Sequence, residues 1–506
     1  MKKFHAPRLA VIAFLVSVLG AGSAWAAEGL KDTVVYAQGS DLTSLDPHIG
    51  KQMRAFAVTG NMFEQLIKFD KDMKEIIPSL AVSWERISDK EMRFHLRKGV
   101  KWHNGDDFTA ADVKFSYDRM LSIPNVVNNI AFLESTTVED DYTVVLKTKY
   151  PYAPLLASLT NPPCAIVPKK AVEADPKGFA LNPIGTGPYK FVEWKPDEYC
   201  RLEAFKDYYD GAAKTKYIVM KVVPESNQRS IMLETGELDI GYDIPPVDVK
   251  RIEANEKLQM LKAVSNKTIF LNFNCQSKGP LGNKLVRQAI AHAIDREEIV
   301  LGVLNGIGAV ANLHMPPGAW GYDPDYKDRA FDLDKARELM KKAGYEKGFS
   351  CSVWIDDDQV ASEVATVIQN QLLELNIDLK IEVMKQATKQ SRLYKKQDFD
   401  MNMGFFNCNP GDGDYNLYSC YHPASQSNHC RFDNADYNAL MEKSRATYDD
   451  ARRKAIYHQM FDILREEAPS VPLYYEEICI GASKDVKGFV PNKIGAHKYK
   501  DVTVAE

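Results

Sequence analysis

The chain has 506 residues, 45% of them hydrophobic and 26% charged, with a formal net charge of −5 at pH 7. That length allows two or three lobes, each with its own core. The mild acidity gives no support for nucleic-acid binding, which needs a basic face, and the absence of internal repeats or heptad runs makes solenoids and coiled coils poor models.

At the N-terminus, Lys2, Lys3 and Arg8 flank an apolar stretch from Leu9 to Leu19, and Ala24-Trp25-Ala26 follows as an A-x-A site. This order predicts a secretory signal peptide cleaved after Ala26. The stretch is too short to cross a bilayer comfortably, and no later run is long enough. No Cys lies near the cleavage site, which argues against a lipid anchor. The mature chain is expected to be soluble, monomeric and periplasmic.

Strand-like and helix-like segments then alternate, predicting a mixed α/β architecture. The residues Thr33-Val-Val-Tyr-Ala37 read as a buried strand ending in the turn-prone Gln38-Gly39-Ser40-Asp41. Met92-Arg-Phe-His-Leu96 alternates as a half-buried strand. Lys98-Gly99 and Asn104-Gly105-Asp106 are turn signals, and Thr109 caps a helix with Asp112 at its positive end. Helical faces recur over 284–305, 360–375 and 456–464, and Gly344 ends a helix over 333–343. Two distant strand-like runs, 268–273 and 471–475 continuing to Ile480, would form a two-strand hinge if a lobe were inserted between them.

All eight Cys follow the leader. Cys420 and Cys430 close a short polar loop, which in an exported chain predicts a disulfide. The same loop holds His422 and His429, so zinc is the rival reading. Cys164, Cys200, Cys275, Cys351, Cys408 and Cys479 cannot be paired from sequence, and several are expected as buried thiols.

No H-E-x-x-H pair, G-x-S-x-G elbow or phosphate-binding P-loop occurs. Gly185-Thr186-Gly187 lacks the third Gly and runs straight into Pro188, so it reads as a turn at a domain crossover. No catalytic group, cofactor or resident metal is expected. A periplasmic metallo-enzyme, assembled from distant positions, is the alternative.

The segments Pro78-Ser-Leu-Ala-Val-Ser-Trp84 and Phe94-His-Leu-Arg-Lys-Gly-Val-Lys-Trp-His103, continued by 104–117, resemble the hallmark of the family-5 extracellular solute-binding proteins of ABC importers. Further landmarks follow in family order: 182–189, Val286-Arg-Gln-Ala-Ile-Ala-His-Ala-Ile-Asp295, 332–337 with Ala343-Gly344, and the C-terminal Ala468-Pro469 and Val486-Lys-Gly488. The resemblance covers essentially the whole mature chain and is strongest to the family's dipeptide-binding members. It implies a periplasmic-binding (Venus flytrap) fold with two hinged lobes and a third domain. Domain I would comprise 27–68, 184–270 and 481–506, domain II 69–183 and domain III 271–480. The implied partners are a small peptide or peptide-like solute and the transmembrane subunits of an ABC permease.

The resemblance also implies site residues. Dipeptide binders carry a Trp-x-Gly-Asp segment whose Asp holds the ligand's ammonium. The matching stretch here is Phe406-Asn-Cys-Asn409, followed by Pro410-Gly-Asp-Gly-Asp414. Phe406 is the expected aromatic wall, Asn409 takes the Asp position, and Tyr415 lies beside it. Asp412 and Asp414 either accept from the solute or are ordinary turn residues. Gly39 and Ser40 are the expected contribution of domain I. Where such binders carry a carboxylate-binding Arg, this chain has Trp354-Ile-Asp-Asp-Asp-Gln359. Asp356 and Asp357, with Asp358, either favour a cationic solute or are solvated acids at a helix N-terminus. A cationic small molecule, a nickel complex or haem are therefore alternatives to a peptide.

Overall fold

The computed structural model describes residues 29–49, 53–124, 126–395 and 398–506, so the predicted signal peptide and the expected cleavage after Ala26 lie outside the described residues. In chain order, β1 (Thr33–Gln38) is followed by the antiparallel strands β2 (Ala81–Ser88) and β3 (Glu91–Leu96). Helix α1 (Ala110–Ser122) and strands β4 (Leu133–Asp140) and β5 (Thr143–Thr148) come next. Strands β6 (Tyr189–Lys195), β7 (Tyr199–Ala204), β8 (Tyr217–Val222) and β9 (Ile240–Gly241) lead into the long β10 (Leu258–Phe273). The inserted lobe holds α2 (Lys284–Ala293), α3 (Leu333–Ala343), β11 (Phe349–Asp356), α4 (Gln359–Leu372), β12 (Ile377–Met384), α5 (Gln386–Lys395) and β13 (Met401–Asn407). Helices α6 (Gly413–Tyr421), α7 (Ala435–Arg445) and α8 (Asp450–Glu467) precede β14 (Ser470–Ser483).

One continuous sheet runs β12-β11-β13-β10-β14-β9-β1-β8-β7-β6. Its two halves carry separate cores. Val34, Tyr36, Leu202, Ile218 and Ile480 pack together at one end, and Val286, Ile290, Val353, Ile368 and Leu473 at the other. Among the described residues, β10 and β14 are the strands that pass between the halves. They pair from Leu258–Ser483 to Val264–Glu477 and again from Thr268–Tyr475 to Asn272–Ser470. Between the two runs, residues 265–267 face Glu476 alone, a bulge that bends the ribbon. Lys267 Nζ closes it on Glu476 at 2.6 Å. Asn266 donates its backbone N–H to Lys493 O and its side-chain amide to Cys408 O, tying the C-terminal segment of one lobe to the turn after β13 in the other.

The third region is a four-stranded sheet, β2-β3-β5-β4, covered by α1. It buries the hallmark: Phe94, Trp102, Phe108 and Tyr117 are all within 1% of full burial. Asp112 accepts from Thr109 N at 3.0 Å and Lys169 N at 2.9 Å, so the predicted cap also pins the following chain. The mixed α/β fold of two lobes plus an extra domain is therefore present.

At the crossover between this region and the first lobe, a Cβ added to Gly185 would lie 1.9 Å from Met62 O. The Gly185-Thr186-Gly187 turn thus exists for close backbone approach, and His103 braces it through Gly185 N and Gly187 O.

One helical expectation is corrected. The 284–305 helix stops at Ala293, because the Asp295 carboxylate accepts the N–H groups of Glu297 and Glu298 and starts a new turn. Such a side chain offers the backbone an alternative to the helical ladder.

Candidate functional site

Strands β11 and β13 are parallel neighbours, but they pair only at Val353–Met401 and Trp354–Asn402. Beyond that point β11 follows β12, pairing as far as Asp356–Met384, while β13 follows β10 as far as Asn407–Lys267. The carboxyl ends of the two parallel strands therefore splay apart. In open α/β sheets such a split is where ligands bind.

Helix α5 roofs the split. Arg392 stacks its guanidinium over the buried Trp354 ring at 3.8 Å, and Leu393 packs with Trp354 and Phe399. Lys389, four residues before Leu393, shares that inward face. Its side chain is 1% exposed, and Nζ donates to Met403 O at 2.7 Å and to Asp356 Oδ2 at 2.8 Å. Burial lowers the lysine's pKa, and Asp356 partly offsets this.

The remaining wall comes from Asn272 on β10, from Asn402, Gly404 and Phe406 on β13, from Cys420, and from Ser427, His429 and Cys430 in the loop after α6. The enclosed space is about 30 Å³, room for a water or two, with an open mouth above it. Asn272 Nδ2 donates to Asn402 Oδ1 at 3.3 Å. His429 lies against the Tyr394 ring, and burial pushes its pKa down to about 4, so the imidazole is neutral at pH 7.

The predicted residues divide. Asp356 and Phe406 line the crevice, with Tyr415 against Phe406 at 5.4 Å between ring centroids. Asn409 lies half-buried in the turn between β13 and α6. Gly39 and Ser40 sit half-buried at the carboxyl end of β1 in the other lobe, where Ser40 O accepts from the Gln38 amide, and they are not part of this crevice.

Three expectations are corrected. Asp412 is saturated internally: it takes two N–H groups of Arg453 at 2.8 Å each, the Tyr457 hydroxyl at 3.0 Å and the Asp414 N–H at 2.9 Å. Asp414 is bound by Arg445 at 2.8 and 3.0 Å and by the Tyr152 hydroxyl at 3.2 Å. Both are buried braces of the turn, their carboxylates engaged by these internal partners.

Asp357 is exposed, and Asp358 caps α4 by accepting from Ala361 N. The acidic run thus supplies one crevice residue, one solvated acid and one helix cap.

Cys420 and Cys430 both carry free thiols, and the expected bridge is not formed. Cys430 Sγ instead donates to Asn272 Oδ1 at 3.3 Å, and burial raises both pKa values. His422 stacks on Tyr418 while His429 faces Tyr394, so the two imidazoles have different neighbours. Among the described residues no three His, Cys, Asp or Glu converge as metal ligands.

Residues 75–428 match the bacterial extracellular solute-binding proteins, family 5. The chain belongs to this family. It is a solute-binding protein. Over 477 residues it is 29% identical to the dipeptide-binding protein of Escherichia coli, covering 88% of this chain and 89% of that one. Over 512 residues it is 29% identical to the glutathione-binding protein GsiB of Pectobacterium atrosepticum, covering 98% of each. Among solved structures it is similar to the periplasmic binding protein DppA of Helicobacter pylori in complex with the peptide STSA. That match has a TM-score of 0.84 and 28% identity, and covers 94% of this chain and 99% of the other.

Sequence reasoning missed Lys389 and Asn402. Lys389 lies in Gln386-Ala-Thr-Lys-Gln-Ser-Arg-Leu-Tyr-Lys395, where Leu393 is the single strongly apolar anchor, so the inward face carries almost no periodic signal.

Proposed function

We propose that the chain is the periplasmic substrate-binding subunit of an ABC importer, capturing a peptide or peptide-like solute between its two lobes. It presents the closed complex to the permease and does not turn the solute over. The observation that carries this reading is the placement of a polar crevice beside a two-stranded ribbon. Solute bridging the lobes favours closure through its contacts with both, and the bulge at 265–267 is where the ribbon bends. The binding of peptides by the relatives supports a peptide-like ligand.

On this reading the moving bodies are 29–68 with 184–266 and 476–506, carrying the extension 69–183, against 267–475. These limits follow the strand pairing, since β13 begins to pair with β10 at Lys267.

The test is mass spectrometry of the small molecule that co-purifies with periplasmic protein, followed by calorimetry with that compound and small-angle scattering. A peptide-like ligand and a contraction on binding are expected. A non-peptide ligand, product formation, or binding without contraction would each overturn part of the reading.

A further inference from the structure

Three buried polar atoms of the crevice wall have no hydrogen-bond partner: Asp356 Oδ1, Asn402 Nδ2 and His429 Nε2. Asn402 is 1% exposed, so bulk water does not serve it. Buried polar groups are nearly always paired with protein, water or ligand, and these three line one cavity that a partner can enter.

The charges define that partner. Asp356 and Lys389 are 2.8 Å apart and cancel each other, so the wall offers no net charge to a visitor. A free carboxylate would bring its oxygens against Asp356 Oδ1. An ammonium would satisfy Asp356 but leave Asn402 Nδ2 without an acceptor. A group that donates on one side and accepts on the other, without charge, completes both atoms.

We infer that the crevice receives a primary carboxamide of the solute, its N–H donating to Asp356 Oδ1 and its carbonyl accepting from Asn402 Nδ2. This deepens the peptide-like reading and rests on it. The carboxamide has two sources, an amidated peptide end or the side chain of Asn or Gln, and both present the same atoms. His429 Nε2 stands beside them as a further partner for the amide.

Calorimetry on the full mature chain at pH 7 with two matched pairs tests this. The probes are Ala-Phe against Ala-Phe amide, and Ala-Glu against Ala-Gln. The amide should bind about ten- to a hundredfold more tightly in at least one pair, because the acid leaves a buried group unpaired or repelled. The first pair reports an amidated end and the second a side-chain amide. Asp356→Asn removes the charge that balances Lys389 and should abolish or invert the preference. Asn402→Leu, of similar size, should weaken amide binding and serves if Asp356→Asn fails to fold. Acids binding as well as amides in both pairs, or a preference unchanged in both variants, overturns the assignment while leaving the peptide reading intact. Failure of all four probes to bind a folded protein overturns the peptide reading and this assignment with it.

Discussion

In the extension domain, Trp102 meets Phe108 edge-on at 6.1 Å, and Asp112 binds the backbone N–H groups of Thr109 at the helix start and of the distant Lys169. In the β11/β13 crevice, Asp356, Lys389, Asn402 and His429 arrive from four separate stretches of chain, and three of their polar atoms remain unpaired. Both regions bury polar and aromatic side chains. In the first, the Asp112 carboxylate is engaged by backbone N–H groups, one of them 57 residues away, while the unpaired Ser79, Tyr117 and Thr136 hydroxyls are scattered through the core. In the second, the unpaired atoms line one cavity. The difference is one of placement: the open groups of the crevice face a common cavity, where on the proposed reading a solute would reach them.

Breaking the extension's core should cost stability and leave binding alone. Trp102→Ala removes a ring that is 1% exposed and should cost about 3–5 kcal/mol in denaturant unfolding. Affinity of the protein that remains folded should be unchanged, and a large loss would make the extension part of the site.

Asp412, in the turn after β13, is likewise engaged internally despite its place beside the crevice. Asp412→Ala strands Arg453 in the interior and should also cost about 3–5 kcal/mol. Adding Arg453→Met should recover much of that loss, as urea midpoints would report. A variant of normal stability that loses solute would return Asp412 to the ligand-binding group.

A pH titration sharpens the comparison further. Burial holds His48, His103, His314, His429 and His497 at pKa values of about 4, below the ordinary 6.5. The unfolded chain therefore binds more protons between pH 4 and 6.5, and stability falls as pH drops through that window. Each fully buried histidine contributes about 1.4 kcal/mol per pH unit. His103→Gln in the extension and His429→Gln in the crevice should each flatten the profile of urea midpoint against pH. An unaltered profile would mean the ring is protonated in the folded state. The smallest effect belongs to Asp357→Asn on the solvent side, expected within about 0.5 kcal/mol and neutral for binding. A tenfold loss of affinity there would extend the site onto the exposed acids.

Much of the fold was legible because its determinants are local. The strand at 33–37, the Thr109–Asp112 cap and the Gly344 stop were read correctly, and Gly344 adopts φ 80° as a helix end of that kind requires. The 284–305 helix was misread because one Asp side chain, Asp295, competes with the helical ladder, and apolar periodicity is blind to that. The site was half legible. Phe406, expected from the resemblance, and Asp356, expected from its acidic segment, both line the candidate crevice.

The acids show where sequence reading stops. Asp356, Asp357 and Asp358 are chemically identical and adjacent, yet one faces Lys389, one faces water and one caps a helix. The same holds for Asp412, which composition places in a polar turn and which packing encloses against Arg453 and Tyr457. Sequence by itself determined the alternation of strands and helices, the extension's core and the family, because periodicity, caps and turns act over a few residues. Only the tertiary structure decided which carboxylates are braces and which face the crevice. A carboxylate's role depends on the charge and burial supplied by side chains as far away as Lys389 and Arg453, and the Coulomb and desolvation energies that set it act through space.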